Sequence, residues 1–146
     1  MLGSPVFSAL PVTLDYRGRC MTFHARDAFR PPVDAAAAPM QVRGGKPIAK
    51  VRINETYEAL FVLDTGSAAA ITFAPGWAEH FGIDLSSGHT TTTTGAGGQE
   101  RRLVARVGRV ELFGRRFSNV PARAVPGGKR KQGSRVAGEI GGALLR

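Results

Sequence analysis

The chain has 146 residues, of which 42% are hydrophobic and 21% charged, a composition typical of one globular domain with its own core. The net charge of +9 comes from dispersed basic residues, and a single cysteine excludes an internal disulfide framework and a cysteine-based zinc site. No apolar run reaches the roughly 18 residues of a membrane-spanning helix, and residues 1–16 lack the features of a signal peptide. The 19 glycines and 9 prolines, set among short apolar segments, favour a turn-rich β protein.

The N-terminal part of the sequence predicts a hairpin followed by a linker. Residues 12–16 alternate apolar and polar side chains, Arg17-Gly18 is a turn signal, and residues 20–23 resume an extended pattern. Cys20 is predicted to be a small, half-buried residue of this hairpin. Residues 26–39 are rich in proline and alanine and show no period, which is typical of a linker.

From Met40 onward the sequence is dense in predicted strands. A short helix is predicted over 75–83, because Trp77 and Phe81 lie four residues apart and Gly82 stands near its end. A run of threonines then enters a glycine cluster, TTTTGAGGQ, which is typical of a hairpin with a glycine-rich tip. The other predicted strands cover 47–53, 58–64, 69–73 and a meander over 103–120, and a final apolar-glycine step lies in 136–146.

Asp64 stands at the end of an apolar strand, in the stretch FVLDTGSAAA. One interpretation is that its carboxylate caps a turn by accepting backbone N–H groups. Three features favour a chemical role: its neighbours are apolar or small, a glycine cluster follows about thirty residues later, and an Ile140-Gly141 step lies far downstream. A glycine at that step would let another strand pass close to the Asp64 turn.

Together these residues resemble the retropepsin-like, or retroviral-type, aspartic proteases, and most closely the bacterial group, over residues 40–146. The resemblance implies a mainly β fold: a single-lobe, closed, barrel-like acid-protease domain with one or two short helices. It implies that Asp64 is the catalytic residue. The other implied site residues are Thr65, Gly66 and Ser67 in the active-site loop, Gly95, Ala96, Gly97 and Gly98 in the flap over the substrate, and Ile140 and Gly141 in the apolar-glycine segment.

The resemblance implies an aspartic-type endopeptidase without cofactor or metal. In such enzymes two aspartates share one proton, so that one acts as base on a water and the other as acid toward the scissile carbonyl. This chain has one D-T-G sequence. The second aspartate is therefore expected from a second chain in a homodimer or from a sister repeat. The expected partners are a peptide or protein substrate and that second unit, with no membrane partner.

The two ends of the sequence are similar, since LGSPVF at 2–7 resembles IGGALL at 140–145. Residues 1–25 are accordingly predicted to be the tail of a preceding repeat, with its helix and closing strands. Residues 26–39 are the predicted linker. Residues 40–146 are the predicted protease domain, expected to be truncated at its C-terminal end, with the N-terminal segment able to supply equivalent elements.

An alternative function is a catalytically silent protease-fold module that binds an anionic partner through a basic surface. Its candidate is Lys129–Lys131, in a glycine-flanked loop without interleaved aromatic residues, which is more typical of solvated loop charge than of a nucleic-acid site. The sequence therefore does not lead us to expect a nucleic-acid partner. The three histidines lack metal-ligand spacing and are predicted surface residues: His24, His80 and His89. Ser67 lacks a nucleophile elbow and is predicted to be a packing residue.

Overall fold

The computed structural model describes residues 7, 9–95 and 98–146, and they are mostly β structure. The elements, in chain order, are β1 (Val12–Asp15), β2 (Cys20–Phe23), β3 (Gln41–Arg43), β4 (Lys46–Ile53), β5 (Tyr57–Asp64), β6 (Ile71–Phe73), α1 (Trp77–His80), β7 (His89–Gly95), β8 (Gly98–Leu112), β9 (Arg115–Ala124), β10 (Val136–Gly141) and α2 (Gly142–Leu145). Within the described ranges, neither helix is long and apolar enough to cross a membrane.

Strands β3 to β10 form one mixed sheet in the order β3-β4-β5-β10-β6-β9-β8-β7. Strand β10 pairs in parallel with β5 and antiparallel with β6, so the last strand lies between two earlier ones. Strand β4 also pairs with β8, through Val51↔Leu112 and Ile53↔Val110. This extra pairing closes the sheet partly into a ring, which leaves fewer unpaired strand edges.

The core fills the inside of this ring, and its side chains come from alternate positions of each strand. The largest fully buried side chains are Phe61, Phe73, Ile53, Ile71, Ile140, Val51, Val107 and Val110. The ring of Phe61 meets that of Phe73 edge-on, with centroids 6.1 Å apart. Strand β5 carries apolar side chains on both faces, but Leu60 and Val62 are only half-buried. Its second face therefore borders solvent, on the side where Val62 and Asp64 lie.

The predicted helix over 75–83 is shorter in the structure, where α1 spans only Trp77–His80. Gly76 and Gly82 flank it with left-handed backbone conformations, at φ of 73° and 65°, and a helix cannot continue through such a residue. The predicted strand over 69–73 begins only at Ile71. The two residues before it bond to the end of β10 and to α2 instead, because the Ala70 carbonyl accepts the Gly141 N–H and the Ala69 carbonyl accepts the Ala143 N–H. The predicted meander over 103–120 is a single hairpin of two long strands, β8 and β9.

The predicted N-terminal hairpin is present as a separate two-stranded sheet, β1–β2. Its turn is closed by Asp15, whose Oδ1 accepts hydrogen bonds from the Arg17 and Gly18 N–H groups, at 2.9 Å each. Cys20 was predicted to be half-buried, but it is exposed, because all four residues of β2 face solvent.

Residues 24–40, all of them described, contain neither helix nor strand. The division of the chain at 25 and 39 stays a prediction, and residues 2–6 of the end-to-end similarity lie outside the described part.

Candidate active site

Asp64 is the last residue of β5, and a tight turn follows it. Its Oδ1 accepts a hydrogen bond from the Gly66 N–H at 3.0 Å, and its carbonyl accepts one from the Ser67 N–H at 3.1 Å. Asp64 and Ser67 are half-buried, whereas Thr65 and Gly66 are exposed. The carboxylate therefore caps its own turn, which is the first of the two interpretations that the sequence allowed. It is also half-buried and so remains partly accessible to solvent.

Strand β10 runs directly beside this turn and ends there. Ile140 lies opposite Leu63 and is fully buried, and Gly141 lies opposite Asp64. A Cβ at position 141 would lie 2.8 Å from the Ser67 carbonyl oxygen, closer than real Cβ contacts. The next residue, Gly142, donates its N–H to the same oxygen at 2.7 Å. Only glycine at 141 allows the strand to pass this close to the loop after Asp64.

The β1–β2 hairpin reaches the same place from the N-terminal side. A Cβ built on Gly142 would lie 3.8 Å from the Tyr16 ring and 3.6 Å from the Thr65 carbonyl oxygen. The Tyr16 hydroxyl is buried and has no hydrogen-bond partner among the described residues. Tyr16 had no role in the sequence interpretation beyond the alternation of its strand. No local signal could have found this proximity, because 126 residues separate Tyr16 from Gly142.

The glycine cluster lies at the connection between β7 and β8. These strands pair antiparallel from His89↔Val104 to Gly95↔Gly98. Gly95 and Gly98 are therefore the last backbone pair before the connection, while Ala96 and Gly97 lie outside the described residues. The pairing is that of a hairpin, which is the structure that the glycine-rich sequence predicted at this position.

A cavity of about 250 Å³ opens on the face of the sheet that carries Asp64, and Val62, Thr72, Val136 and Glu139 line it. Glu139 is half-buried, and it was not among the predicted site residues. The missed signal was its position two residues before Gly141, which puts both on one face of β10. A larger open cavity of about 580 Å³ lies between α1 and β8. The D-T-G residues line neither cavity.

Other charged groups have partners outside the cavity or are exposed. The Arg52 side chain, hydrogen-bonded to Glu58 at 2.9 Å, lowers the pKa of that carboxyl, and Lys50 adds to the effect. The hydroxyl and N–H of Ser86 likewise lower the pKa of Asp84. Lys129–Lys131 are exposed, as predicted, and the Arg130 guanidinium packs 5.0 Å from the centre of the Trp77 ring.

The histidines are in separate places: His80 and His89 are exposed, and His24 is half-buried beside the Thr13 hydroxyl, 2.9 Å away. Over the described ranges, no group of three or more His, Cys, Asp or Glu side chains could hold a metal ion. The site therefore consists of one carboxylate, its glycine-rich turn and a cavity on the same face of the sheet.

Comparison with known proteins agrees with this geometry. A family model described as "Aspartyl protease" matches residues 49–142. Among solved structures, the chain is similar to a retropepsin-like aspartic protease from Rickettsia conorii, with 22% sequence identity, a TM-score of 0.54, and coverage of 73% of this chain and 76% of that one. At this identity the structural likeness concerns the fold, and it confirms the predicted class: mainly β, retropepsin-like, with a partly closed sheet and short helices. No curated protein sequence matches the chain.

Proposed function

Because the chain belongs to the aspartyl protease family, whose model covers residues 49–142, we propose that it is an aspartic-type endopeptidase with Asp64 as its catalytic residue. The observation that carries the proposal is the position of Asp64, at the end of β5, in a turn closed by Gly66 and backed by Gly141. Such a turn presents a carboxylate at a protein surface while holding it in one orientation. Thr65, Gly66 and Ser67 complete the active-site loop, and the hairpin that has Gly95 and Gly98 as its last pair serves as the flap.

The chain supplies half of the catalytic pair, so we propose that a second copy supplies the other aspartate. Peptide hydrolysis by this chemistry requires two carboxylates that share a proton. One removes a proton from the attacking water, and the other protonates the carbonyl oxygen of the scissile bond. A two-fold axis beside Asp64 would bring two identical turns together. Thr65, which is exposed, would then bond across the axis.

The surface next to the site supports association. The β1–β2 hairpin, whose turn places Tyr16 beside Gly142, exposes Leu14, Met21 and Phe23 to solvent, at 37%, 41% and 39%. Three large apolar side chains on one small hairpin are the kind of surface that association buries. A dimer that covers them would bring this hairpin near the shared site.

The function is tested by comparing the wild-type protein with Asp64→Asn on a mixture of unstructured peptides at mildly acidic pH. We expect the wild type to cleave and to be inhibited by pepstatin-type compounds, and we expect the variant to lose cleavage by at least about 1000-fold. The asparagine keeps the side-chain oxygen that accepts the Gly66 N–H, so the variant should fold. Equal activity in the two proteins, or none in either, would contradict the proposal.

The need for a second copy has its own test. The specific activity should rise with protein concentration over the range in which sedimentation shows monomers becoming dimers. Mixing wild type with excess Asp64→Asn should suppress activity, because mixed dimers hold one competent aspartate. Activity that is independent of concentration in a monomeric sample would show that the second carboxylate does not come from another copy. If cleavage is absent and salt-sensitive nucleic-acid binding is found instead, the alternative of a basic binding module is favoured.

A further inference from the structure

The cavity of about 250 Å³, on the face of the sheet that carries Asp64, contains a carboxylate that the catalytic proposal does not use. Strand register places it: Glu139 lies opposite Val62, and Val62 lies two residues before Asp64 on β5. Paired residues of parallel strands, and residues two apart on one strand, project from the same face of a sheet. Glu139 therefore shares the face of Asp64, about 6.6 Å along the strand and about 4.8 Å across from it.

Glu139 is half-buried in mostly apolar surroundings. Val62 and Val136 line the cavity with it, and Thr72, opposite Glu139 in the pairing of β10 with β6, adds one hydroxyl. The described residues offer the Glu139 carboxylate no hydrogen bond and no ion pair. Lys46 stands at the start of β4, where it also borders the cavity, but it is exposed and forms no ion pair with Glu139 within 4 Å. A half-buried carboxylate without a partner is costly until a cation reaches it.

We propose that this cavity is a substrate subsite next to the scissile bond and that Glu139 makes it select an arginine or lysine side chain. The inference rests on the proposed endopeptidase function. Val62 and Val136 would contact the aliphatic stem of the basic side chain, and Glu139 would bind its charged end. At about 250 Å³ the cavity is smaller than most small-molecule sites, which suits one side chain of an extended peptide.

The net charge of the whole protein opposes the binding of a basic side chain, so an arginine preference of the cavity can be distinguished from the effect of the net charge. With a net charge of +9, the chain as a whole repels a cationic peptide. A preference for arginine at one peptide position must therefore come from a carboxylate at that position. Glu139 is the acidic residue that lines the cavity.

The first measurement compares short Ala-Leu-Phe host peptides in which arginine is moved from position to position, each with a twin that carries neutral, similarly shaped citrulline. For the wild type, we expect kcat/KM to favour arginine over citrulline by about 10-fold or more at one position near the cleaved bond. In Glu139→Gln this ratio should fall to near 1. Glu58→Gln removes the same charge from β5 outside the cavity, and it should leave the ratio unchanged.

The second measurement does not depend on cleavage. Fluorescein-labelled arginine and citrulline peptides are titrated with the Asp64→Asn protein and with the Asp64→Asn/Glu139→Gln protein, and fluorescence polarisation gives each Kd. The arginine peptide should bind about 10-fold tighter than its twin in the first protein and equally in the second. If the wild type cleaves nothing while this binding difference is found and lost as expected, the endopeptidase function fails and the subsite stands.

Several results would overturn the subsite. Equal binding of arginine and citrulline peptides at every position by the Asp64→Asn protein is one, and failure of both peptides to bind is another. A ratio that survives Glu139→Gln, or that falls as far in Glu58→Gln, would show that Glu139 does not determine it. Thermal unfolding of each variant identifies a misfolded protein. If Glu139→Gln is misfolded, Glu139→Asp is used in its place, and it must retain the arginine preference because it keeps the charge.

Discussion

Gly141 and Asp64 lie directly opposite each other in the parallel pairing of β10 with β5. The pairing places the last strand of the sheet against the loop that follows the proposed catalytic residue. It also explains why a glycine occurs there, since a Cβ at 141 would collide with the Ser67 carbonyl oxygen, 2.8 Å away. The backbone of β10 therefore forms the back wall of the Asp64 turn.

Gly141→Ala should destabilise the protein and reduce peptidase activity together. The added methyl group meets the Ser67 and Ala69 carbonyl oxygens, which accept hydrogen bonds from the Gly142 and Ala143 N–H groups, so the loop must shift. Overpacking of this kind costs about 1–3 kcal/mol. Urea unfolding should show this loss. Gly108→Ala, whose Cβ would meet only the Asn54 side chain at 3.4 Å, should change the free energy of unfolding by less than about 0.5 kcal/mol. Equal stability of the two variants would contradict the prediction.

Tyr16→Phe should leave the free energy of unfolding unchanged or slightly higher. The variant removes a buried hydroxyl that has no partner among the described residues, and it keeps the ring beside Gly142. Removing an unsatisfied polar group costs nothing, whereas removing a bonded one costs about 1 kcal/mol. Tyr16→Ala, which also removes the ring, should be clearly destabilising. A loss above about 1 kcal/mol in Tyr16→Phe would show that the hydroxyl is bonded in solution.

Glu58→Gln should lower thermal stability near pH 7 and have no effect in strong acid. Hydrogen bonds from Arg52, and then from Lys50, lower the pKa of Glu58 in the folded state, so the carboxylate contributes stability above its unfolded pKa of about 4.3. That contribution is lost as the pH falls through the lower, folded pKa. The melting curves of wild type and variant should therefore differ near pH 7 and converge well below pH 4. Glu79→Gln, at an exposed glutamate without an ion pair in the described part of the chain, serves as the control. A difference that persists in acid would refute the assignment.

Local sequence patterns predicted the elements better than their lengths. The β1–β2 hairpin, β4 and β5 lie close to where alternation and turn signals placed them, because these signals act over two to four residues. The helix over 75–83 was too long, because the sequence does not show that Gly76 and Gly82 both adopt left-handed backbone conformations. The meander was divided into too many strands, because the change of inward-facing positions between Val107 and Val110 occurs inside one continuous strand.

The sequence alone determined the elements of the chemistry: an aspartate in D-T-G after an apolar strand, a glycine-rich hairpin tip and an apolar-glycine step. Each is encoded by residues that are adjacent in the chain, so it can be recognised without knowing which distant segments pack against it. The tertiary structure alone decided that Gly141 lies beside Asp64, that Tyr16 reaches Gly142, and that Glu139 shares the face of Asp64. The first and third relationships depend on strand register between segments more than seventy residues apart, and the second depends on how the separate β1–β2 sheet packs. Register is set by how the buried faces pack together, and no local pattern records it.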